Sequence, residues 1–324
     1  MARARTVKRV LVIARGPLDL FVPSLAALRR IRSAHPNAQI VLLTSPAFEA
    51  LSRACPYLDA VDIDGQPEGV SEWLQLAARI RAARFDRVYD LEGSPWTNRL
   101  FQALRPFPPK WSGVAFGCAL PHRNPLRDAM HPLERQAEQL RAAGIWSDAP
   151  TRPGAAAPPD ASWIARRILD PRAKHRPHVL LIPGSVADPA ELRWSPQAYG
   201  GLAQILRNQG YDIIILGGPD DSRLAHAIQH RAPARDLTGR TDYAEVAALA
   251  ARAALAIGAD TGLMHLAAAA GAPSLVLCAR ADDLDRAGPR GYVAALWADS
   301  LADLQVNEVL RAADRLMPPI QKTM

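Results

Sequence analysis

Short apolar runs that stop at glycine or proline and give way to helix-period segments constrain this chain more than any other feature. Val10-Leu11-Val12-Ile13 closes at Gly16-Pro17, and Ile40-Val41-Leu42-Leu43 follows after an intervening amphipathic segment. A strand with no polar face must be covered on both sides, which is the setting of a parallel sheet between helix layers. Between the two runs, Val22, Leu25, Ala26, Leu28 and Ile31 recur at helical spacing, Arg29, Arg30 and Arg32 interleave with them, and the helix is expected to stop before Pro36. Strand, helix and strand in that order make a βαβ unit with a right-handed crossover. The pattern continues through a predicted helix near Ala47–Arg53, a strand at 60–63, a helix near Ser71–Ala83 and a strand near Arg87–Leu91. The first half therefore reads as a Rossmann-like sheet.

The clearest shift in composition lies between Pro150 and Pro177, where Pro150, Pro153, Pro158, Pro159, Pro171 and Pro177 surround an alanine run and one predicted helix near Ala161–Leu169. A second α/β series follows. Its predicted strands lie at 178–182, 212–216, 235–237, 255–258 and 274–278, with helices near 196–208, 220–230, 243–253 and 262–270. A length of 324 residues agrees with two domains. The expected division is a first Rossmann-like domain over 1–158, an interdomain segment 159–176 and a second over 177–300. An amphipathic C-terminal helix in 301–324 is expected to pack across the junction.

Composition narrows the function classes. Hydrophobic residues make up 49% and charged residues 22%, the balance of a folded soluble domain rather than a disordered chain. Cys55, Cys118 and Cys278 form no C-x-x-C pair, so a disulfide framework or cysteine zinc site is not expected and a reducing compartment fits. No apolar run reaches the ~18–20 residues of a membrane span, and Met1-Ala2-Arg3-Ala4-Arg5 does not open a signal peptide. A cytoplasmic protein is the expectation. The net charge is +7, but only four of 39 basic residues are lysine, and 60 residues are alanine, the mark of a GC-rich coding sequence. Location says more: residues 1–150 hold 20 basic against 14 acidic side chains, net +6, whereas the remainder is close to neutral.

Three glycine-bearing loops follow strands of the second series. Leu255-Ala256-Ile257-Gly258 leads through Asp260-Thr261 into an alanine-rich helix that starts near Gly262 and carries His265 on its first turn. Ligands of open α/β sheets sit at the carboxyl ends of strands, and the free N–H groups of a helix start suit a phosphate. Asp260 and Thr261 read equally as helix N-caps. Pro183-Gly184-Ser185 follows another strand, with Arg193-Trp194-Ser195-Pro196 leading into the next helix, and Gly217-Gly218-Pro219-Asp220 ends a third. Glycine permits close backbone approach, and Ser185 and Arg193 offer hydrogen-bond donors, although each loop taken singly is also explained by turn chemistry.

Asp260-Thr261-Gly262-Leu263-Met264-His265, the following Gly271-Ala272-Pro273, the Pro183-Gly184-Ser185 and Arg193-Trp194-Ser195-Pro196 segments, Leu237-Thr238-Gly239-Arg240-Thr241 and, in the first half, Phe85-Asp86-Arg87-Val88-Tyr89-Asp90-Leu91-Glu92-Gly93 together resemble the bacterial ADP-heptose:lipopolysaccharide heptosyltransferase family, glycosyltransferase family 9. The resemblance spans nearly the whole chain. It implies a GT-B architecture, an α/β fold of two Rossmann-like domains facing across a cleft, with the donor held mainly by the second. It further implies inverting, metal-independent and cofactor-free transfer of a heptose or related sugar from an ADP-sugar to a hydroxyl of the lipopolysaccharide inner core. Carried over by residue, Asp260, Thr261, Gly262 and His265 would hold the donor's diphosphate and sugar, with Ser185 and Arg193 as further contacts. Asp220 or Asp221 would meet the ribose, Thr241 would lie near the base, and Asp19 would be the general base. The chain departs from the family at Leu18, where glycine is usual, and at Leu192, where a lysine usually meets the donor phosphates. Losing such a charged contact costs about 1.5–3 kcal/mol unless Arg193 replaces it.

Other classes have weaker footing. Asp90 and Glu92 share one side of a strand end as a glycoside hydrolase pair would, but solvated strand-end residues explain them as well. No G-x-G-x-x-G follows the first strand, which disfavours a dinucleotide dehydrogenase. Nucleic-acid binding would call for exposed aromatics among the arginines or a known reader fold. A family member that binds nucleotide sugar without turnover is the alternative that Leu18 and Leu192 suggest. The +6 half is expected to attract an anionic glycolipid, with peripheral contact at the inner membrane surface, where Arg29, Arg30 and Arg32 would contribute.

Overall fold

In the computed structural model, which describes residues 7–63, 67–149, 151–152, 154–168, 176–184, 192–279 and 281–317, the chain divides into two units at Pro159–Asp160. The first unit runs β1 (Arg9–Ile13), α1 (Leu18–Ala34), β2 (Gln39–Thr44), α2 (Glu49–Ala54), β3 (Ala60–Ile63), α3 (Val70–Ala82), β4 (Arg87–Asp90), α4 (Pro95–Ala103), β5 (Lys110–Gly113), β6 (Leu120–Pro121) and α5 (Pro132–Ala142). The second runs α6 (Ala165–Ile168), β7 (His178–Ile182), α7 (Pro196–Asn208), β8 (Asp212–Ile215), α8 (Ser222–Gln229), β9 (Arg235–Asp236), α9 (Tyr243–Ala250), β10 (Leu255–Ala259), α10 (Gly262–Ala269), β11 (Ser274–Cys278), α11 (Ala281–Ala287), β12 (Val293–Trp297) and α12 (Val306–Leu316). Every strand pair is parallel.

The sheet orders are β3-β2-β1-β4-β5-β6 and β9-β8-β7-β10-β11-β12. Counted from its own first strand, each sheet repeats one doubly wound order. The order reverses between β1 and β4 in one unit and between β7 and β10 in the other, and the crevice outside the carboxyl ends of those strands is where such sheets bind ligands. The apolar runs that define the strands are buried throughout: Val10–Ile13, Ile40, Leu42 and Leu43 in the first sheet, Val179–Ile182 and Leu275–Leu277 in the second. Trp111 on β5 is fully buried and meets Phe101 of α4 edge-on at 5.4 Å.

Several elements differ from the pattern in the sequence. Helix α1 begins at Leu18, ahead of the expected Val22, and takes Pro23 into its interior. A proline there removes one amide, the partner of the Asp19 carbonyl, and leaves the rest of the ladder intact. Asp19 is thereby a half-buried residue of the first helical turn. The pattern left residues 92–150 unassigned, although Ser94 opens α4 with a capping box to Thr97, and Leu133, Ala137 and Leu140 mark the buried face of α5. Strand β12 was also missed, since its burial is partial and its sequence Val-Ala-Ala-Leu-Trp carries little β preference. Helix α12 packs on α7, β10, β11 and β12, all in the second unit, and residues 161–168 pack on α9 of the same unit. The stretch 169–175, inside the expected interdomain segment, lies outside the described residues. Among the described residues no helix is long and apolar enough to cross a membrane.

The arginines of α1 are not an open basic face. Arg32 donates to the carbonyls of Tyr57 and Ala38 and to Asp59 at 2.5 Å, pinning the helix to the β2–β3 side. Arg30 donates to the Ile145 carbonyl at 2.8 Å and pairs with Asp148 at 3.4 Å. Arg29 alone of the three is exposed without a hydrogen bond from its guanidinium among the described residues.

At the reversal point of the first sheet, Asp90 is fully buried. Its Oδ1 accepts from the Glu92 and Gly93 amides at 3.2 and 2.8 Å, and its Oδ2 has no hydrogen-bond partner. Burial pushes its carboxyl up to about 6, against the amide bonds that favour the anion. A carboxyl raised in the folded state binds its proton more tightly there than in the unfolded chain, so stability is present at low pH and falls as pH rises from about 4 to about 6. The displacement corresponds to roughly 3 kcal/mol. Urea unfolding of wild type and D90N across pH 4–7 is expected to show that falling limb in the wild type and its loss in the variant.

Candidate functional site

The carboxyl edge of the second sheet collects the glycine-bearing loops that the sequence marked. β10 can lie beside β7 only because residue 258 is glycine: a Cβ there would sit 2.2 Å from the Ile182 carbonyl oxygen. The chain leaves β10 through Asp260 and Thr261 and enters α10 at Gly262. Thr261 has extended backbone angles and is the N-cap by position, yet its side chain accepts no bond from the helix, and its Oγ1 is buried without a partner. The first N–H groups of α10 are therefore not consumed by a side-chain cap, the arrangement that receives anions at helix starts.

His265 is 5% exposed on the first turn of α10, and its Nε2 lies 3.7 Å from Asp260 Oδ1. The pair brackets the mouth of the helix with one acidic and one basic group. Asp260, Thr261, Gly262 and His265 are thus brought together as one cluster at the reversal point of the sheet. The reading of Thr261 as a simple side-chain N-cap does not hold, because the bond is not made.

The neighbouring loops are built on local hydrogen bonds. After β8, Asp221 is buried and its Oδ2 accepts from the Gly218 amide at 2.8 Å, which locks the Gly217–Asp221 turn and leaves Asp220 exposed at its tip. After β9, Gly239 adopts φ +65° and donates to the Gly217 carbonyl at 3.0 Å, tying the β9 loop to the β8 loop. A Cβ on Gly239 would lie 2.8 Å from Pro219 Cα. Thr241 is half-buried just before Asp242, which caps α9 with Glu245 in a capping box. β9 is three strands from β10, so Thr241 and the His265 cluster stand roughly 14 Å apart along the edge at the usual strand spacing.

Beyond β7, Gly184 takes φ +89°. Ser185 lies outside the described residues. Arg193 is half-buried, Leu192 is 39% exposed, and Trp194 is an anchor: its indole donates to the Leu304 carbonyl at 2.9 Å and meets Tyr199 edge-on at 4.7 Å. Ser195 caps α7 by accepting from the Ala198 amide. Burial without a hydrogen-bond partner pushes the Tyr199 hydroxyl up, so it stays neutral.

In the first unit, Asp19 follows β1 at the corresponding reversal point. Asp90 and Glu92 do not form a hydrolase pair. Asp90 is sealed in the core holding its own turn, and Glu92 lies 4.0 Å from Arg15, which stacks over Trp96 at 3.6 Å. Arg127, whose guanidinium packs over Gly93, Arg135 in the first turn of α5 and the buried His122 lie in a segment whose sequence pattern marks no element.

Two parallel doubly wound α/β units, the second with an uncapped helix start at its reversal point, match the GT-B architecture of solved heptosyltransferases. The profile of glycosyltransferase family 9 (heptosyltransferase) matches residues 73–290, and the chain belongs to that family. Lipopolysaccharide heptosyltransferase 2 of Escherichia coli K12 is 25% identical over 302 residues, 83% of this chain and 82% of that protein. The solved structure of E. coli ADP-heptose lps heptosyltransferase II superposes with TM-score 0.77 at 22% identity, covering 95% of this chain and 98% of that one. E. coli heptosyltransferase WaaC with ADP superposes with TM-score 0.74 at 18% identity, covering 95% and 99%.

Gly258→Ala is expected to lower unfolding stability by more than about 4 kcal/mol or to block folding, because backbone rather than a flexible side-chain end opposes the new methyl. Denaturant titration of G258A beside G271A, where a Cβ meets nothing within 4 Å, separates the close approach from glycine's general freedom. The G271A cost, arising from its φ of +101°, should be the smaller.

Proposed function

We propose that this protein transfers a heptose or a closely related sugar from an ADP-sugar to a hydroxyl of the lipopolysaccharide inner core, with inversion and without a metal. The observation that carries the reading is the start of α10: open amides, a buried uncapped Thr261 hydroxyl and His265 at one strand end. The E. coli relatives, one described as an ADP-heptose enzyme and one solved with ADP, support the donor.

In this reading the diphosphate sits at the Gly262 amide, with His265, Arg193 and Ser185 as further donors to the phosphate oxygens. The remaining edge, from Asp260 to Thr241, matches an extended nucleoside diphosphate, with Asp220 reaching the ribose and Thr241 near the base. As the bond from the anomeric carbon to the β-phosphate oxygen breaks, its electron pair stays on ADP, where aligned N–H dipoles and cations stabilise it. The acceptor oxygen forms the new bond and its proton passes to Asp19. The acceptor is an anionic glycolipid reached from the cytoplasm, at or near the inner membrane face, and no nucleic acid is involved.

Leu192 favours a second reading, nucleotide-sugar binding without turnover, since an exposed leucine stands where the family carries a phosphate-binding lysine. Assay of transfer from ADP-heptose to inner-core acceptor separates the two. The active reading expects D19A to lower kcat by about 10²–10⁴-fold with unchanged ADP affinity. H265A and D260A should weaken calorimetric ADP-sugar binding, and transfer in EDTA should match the untreated rate. Donor binding with no product from the wild type would establish the second reading.

A further inference from the structure

The second unit carries a cavity at the end of its sheet opposite the one that holds Gly258 and His265. Its volume is about 580 Å³, within the roughly 300–1,000 Å³ of small-molecule sites. Its walls include the first residues of three neighbouring strands, His178 of β7, Asp212 of β8 and Arg235 of β9, together with Arg176, Arg207 and Leu249. β7 runs from His178 to Ile182, so the two ends of the sheet stand roughly 13 Å apart at the usual rise per residue.

Strand register gathers these groups. Val179, Leu181, Ile213 and Ile215 turn into the core beneath α7 and α8. Alternation sends His178, Asp212 and Ile214 to the other face, and parallel pairing sets His178 beside Asp212 and Ile214 beside Arg235. Local hydrogen bonds hold the walls. Arg207, in the last turn of α7, donates through Nη1 to the Pro233 carbonyl at 3.1 Å, and Gln229 donates to the Ala234 carbonyl at 2.8 Å. His178 donates through Nε2 to the Leu249 carbonyl of α9 at 3.1 Å.

The charges around the cavity are not balanced. Arg176 and Arg235 are exposed, and among the described residues neither guanidinium donates a hydrogen bond or pairs with an acid, Asp212 included. Three guanidiniums and one carboxylate leave an excess of two positive charges. Helices α7 and α8 end at this edge and turn carbonyls toward it, so attraction for an anion falls to side chains rather than to amides. A phosphate monoester carries about −1.5 to −2 near neutral pH, which meets that excess, and the arginine fork fits its oxygens. We propose that this cavity is a second ligand site, which takes the phosphomonoester of a small molecule with an apolar body. Arg176, Arg207 and Arg235 hold the phosphate, and Ile214, Pro233 and Leu249 receive the body. The site stands apart from the donor reading of the opposite edge and does not depend on it.

Arginine modification by phenylglyoxal, mapped residue by residue by mass spectrometry on the full chain at constant ionic strength, tests the site with phenyl phosphate as the probe. Phenyl phosphate should slow modification of Arg176 and Arg235 saturably, while Arg29, exposed on α1 of the first unit, keeps its rate. Phenol, which has the ring without the phosphate, should protect neither. R235Q, a change at an exposed position, should raise the phenyl phosphate concentration that half-protects Arg176 about tenfold or more. H265A should keep the wild-type protection, because the cavity uses nothing from the start of α10. No protection, equal slowing at Arg29, or an unchanged half-protecting concentration in R235Q overturns the site. Protection that disappears in H265A assigns the probe to the opposite edge and likewise overturns it. Equal protection by benzoate, which carries a single charge, overturns the phosphomonoester as the ligand class.

Discussion

The contact between Gly258 and the Ile182 carbonyl governs the second unit. β7 and β10 are the strands between which the sheet reverses its winding, and their register places Gly258 directly against Ile182. With no Cβ in the way, the two backbones close and the loops that follow them emerge side by side. The uncapped start of α10 inherits its position from that closure. A bulkier residue would leave Asp260, Thr261, Gly262 and His265 in the sequence, yet it would disturb the strand edge from which they emerge.

Much of this was legible in the sequence because buried parallel strands have no polar face to disguise them. The runs at 10–13, 40–43, 179–182, 213–216 and 275–278 each became a central strand. The loops at 217–221 and 258–262 were marked by their glycines, and the structure shows what those glycines permit. Residues 92–150 were not legible for the opposite reason. α4 and α5 are short helices whose apolar positions are diluted by Asn, Gln, Arg and Glu, and β5 holds Trp111 between Lys110 and Ser112 rather than in an apolar run. The tertiary setting, not local pattern, decides their burial.

Charge told the least from sequence. A net +6 in the first half suggested a basic face on α1, but hydrogen-bond geometry spends Arg30 and Arg32 on carbonyls and acids of the same unit. Among the described residues Arg135, half-buried in the first turn of α5, makes no side-chain hydrogen bond or ion pair, and composition gave no hint of it. Counting charges cannot distinguish an arginine that ties two loops together from one left without an acceptor, because the difference lies in which acceptors the fold brings within reach.

The indole of Trp194 adds an order in time. Trp194, at the entry to α7, rests on the Leu304 carbonyl, and Leu301, Leu304, Val309, Ala313 and Leu316 complete the core beneath α7. A ribosome makes β7, β10 and the helix start of α10 well before it makes residue 304. The nascent second unit therefore has the carboxyl edge of its sheet in sequence before it has the support that holds one side of it. A chain cut just before Leu301 would keep all of the described edge residues and lack the carbonyl on which the Trp194 indole, beside Arg193, rests.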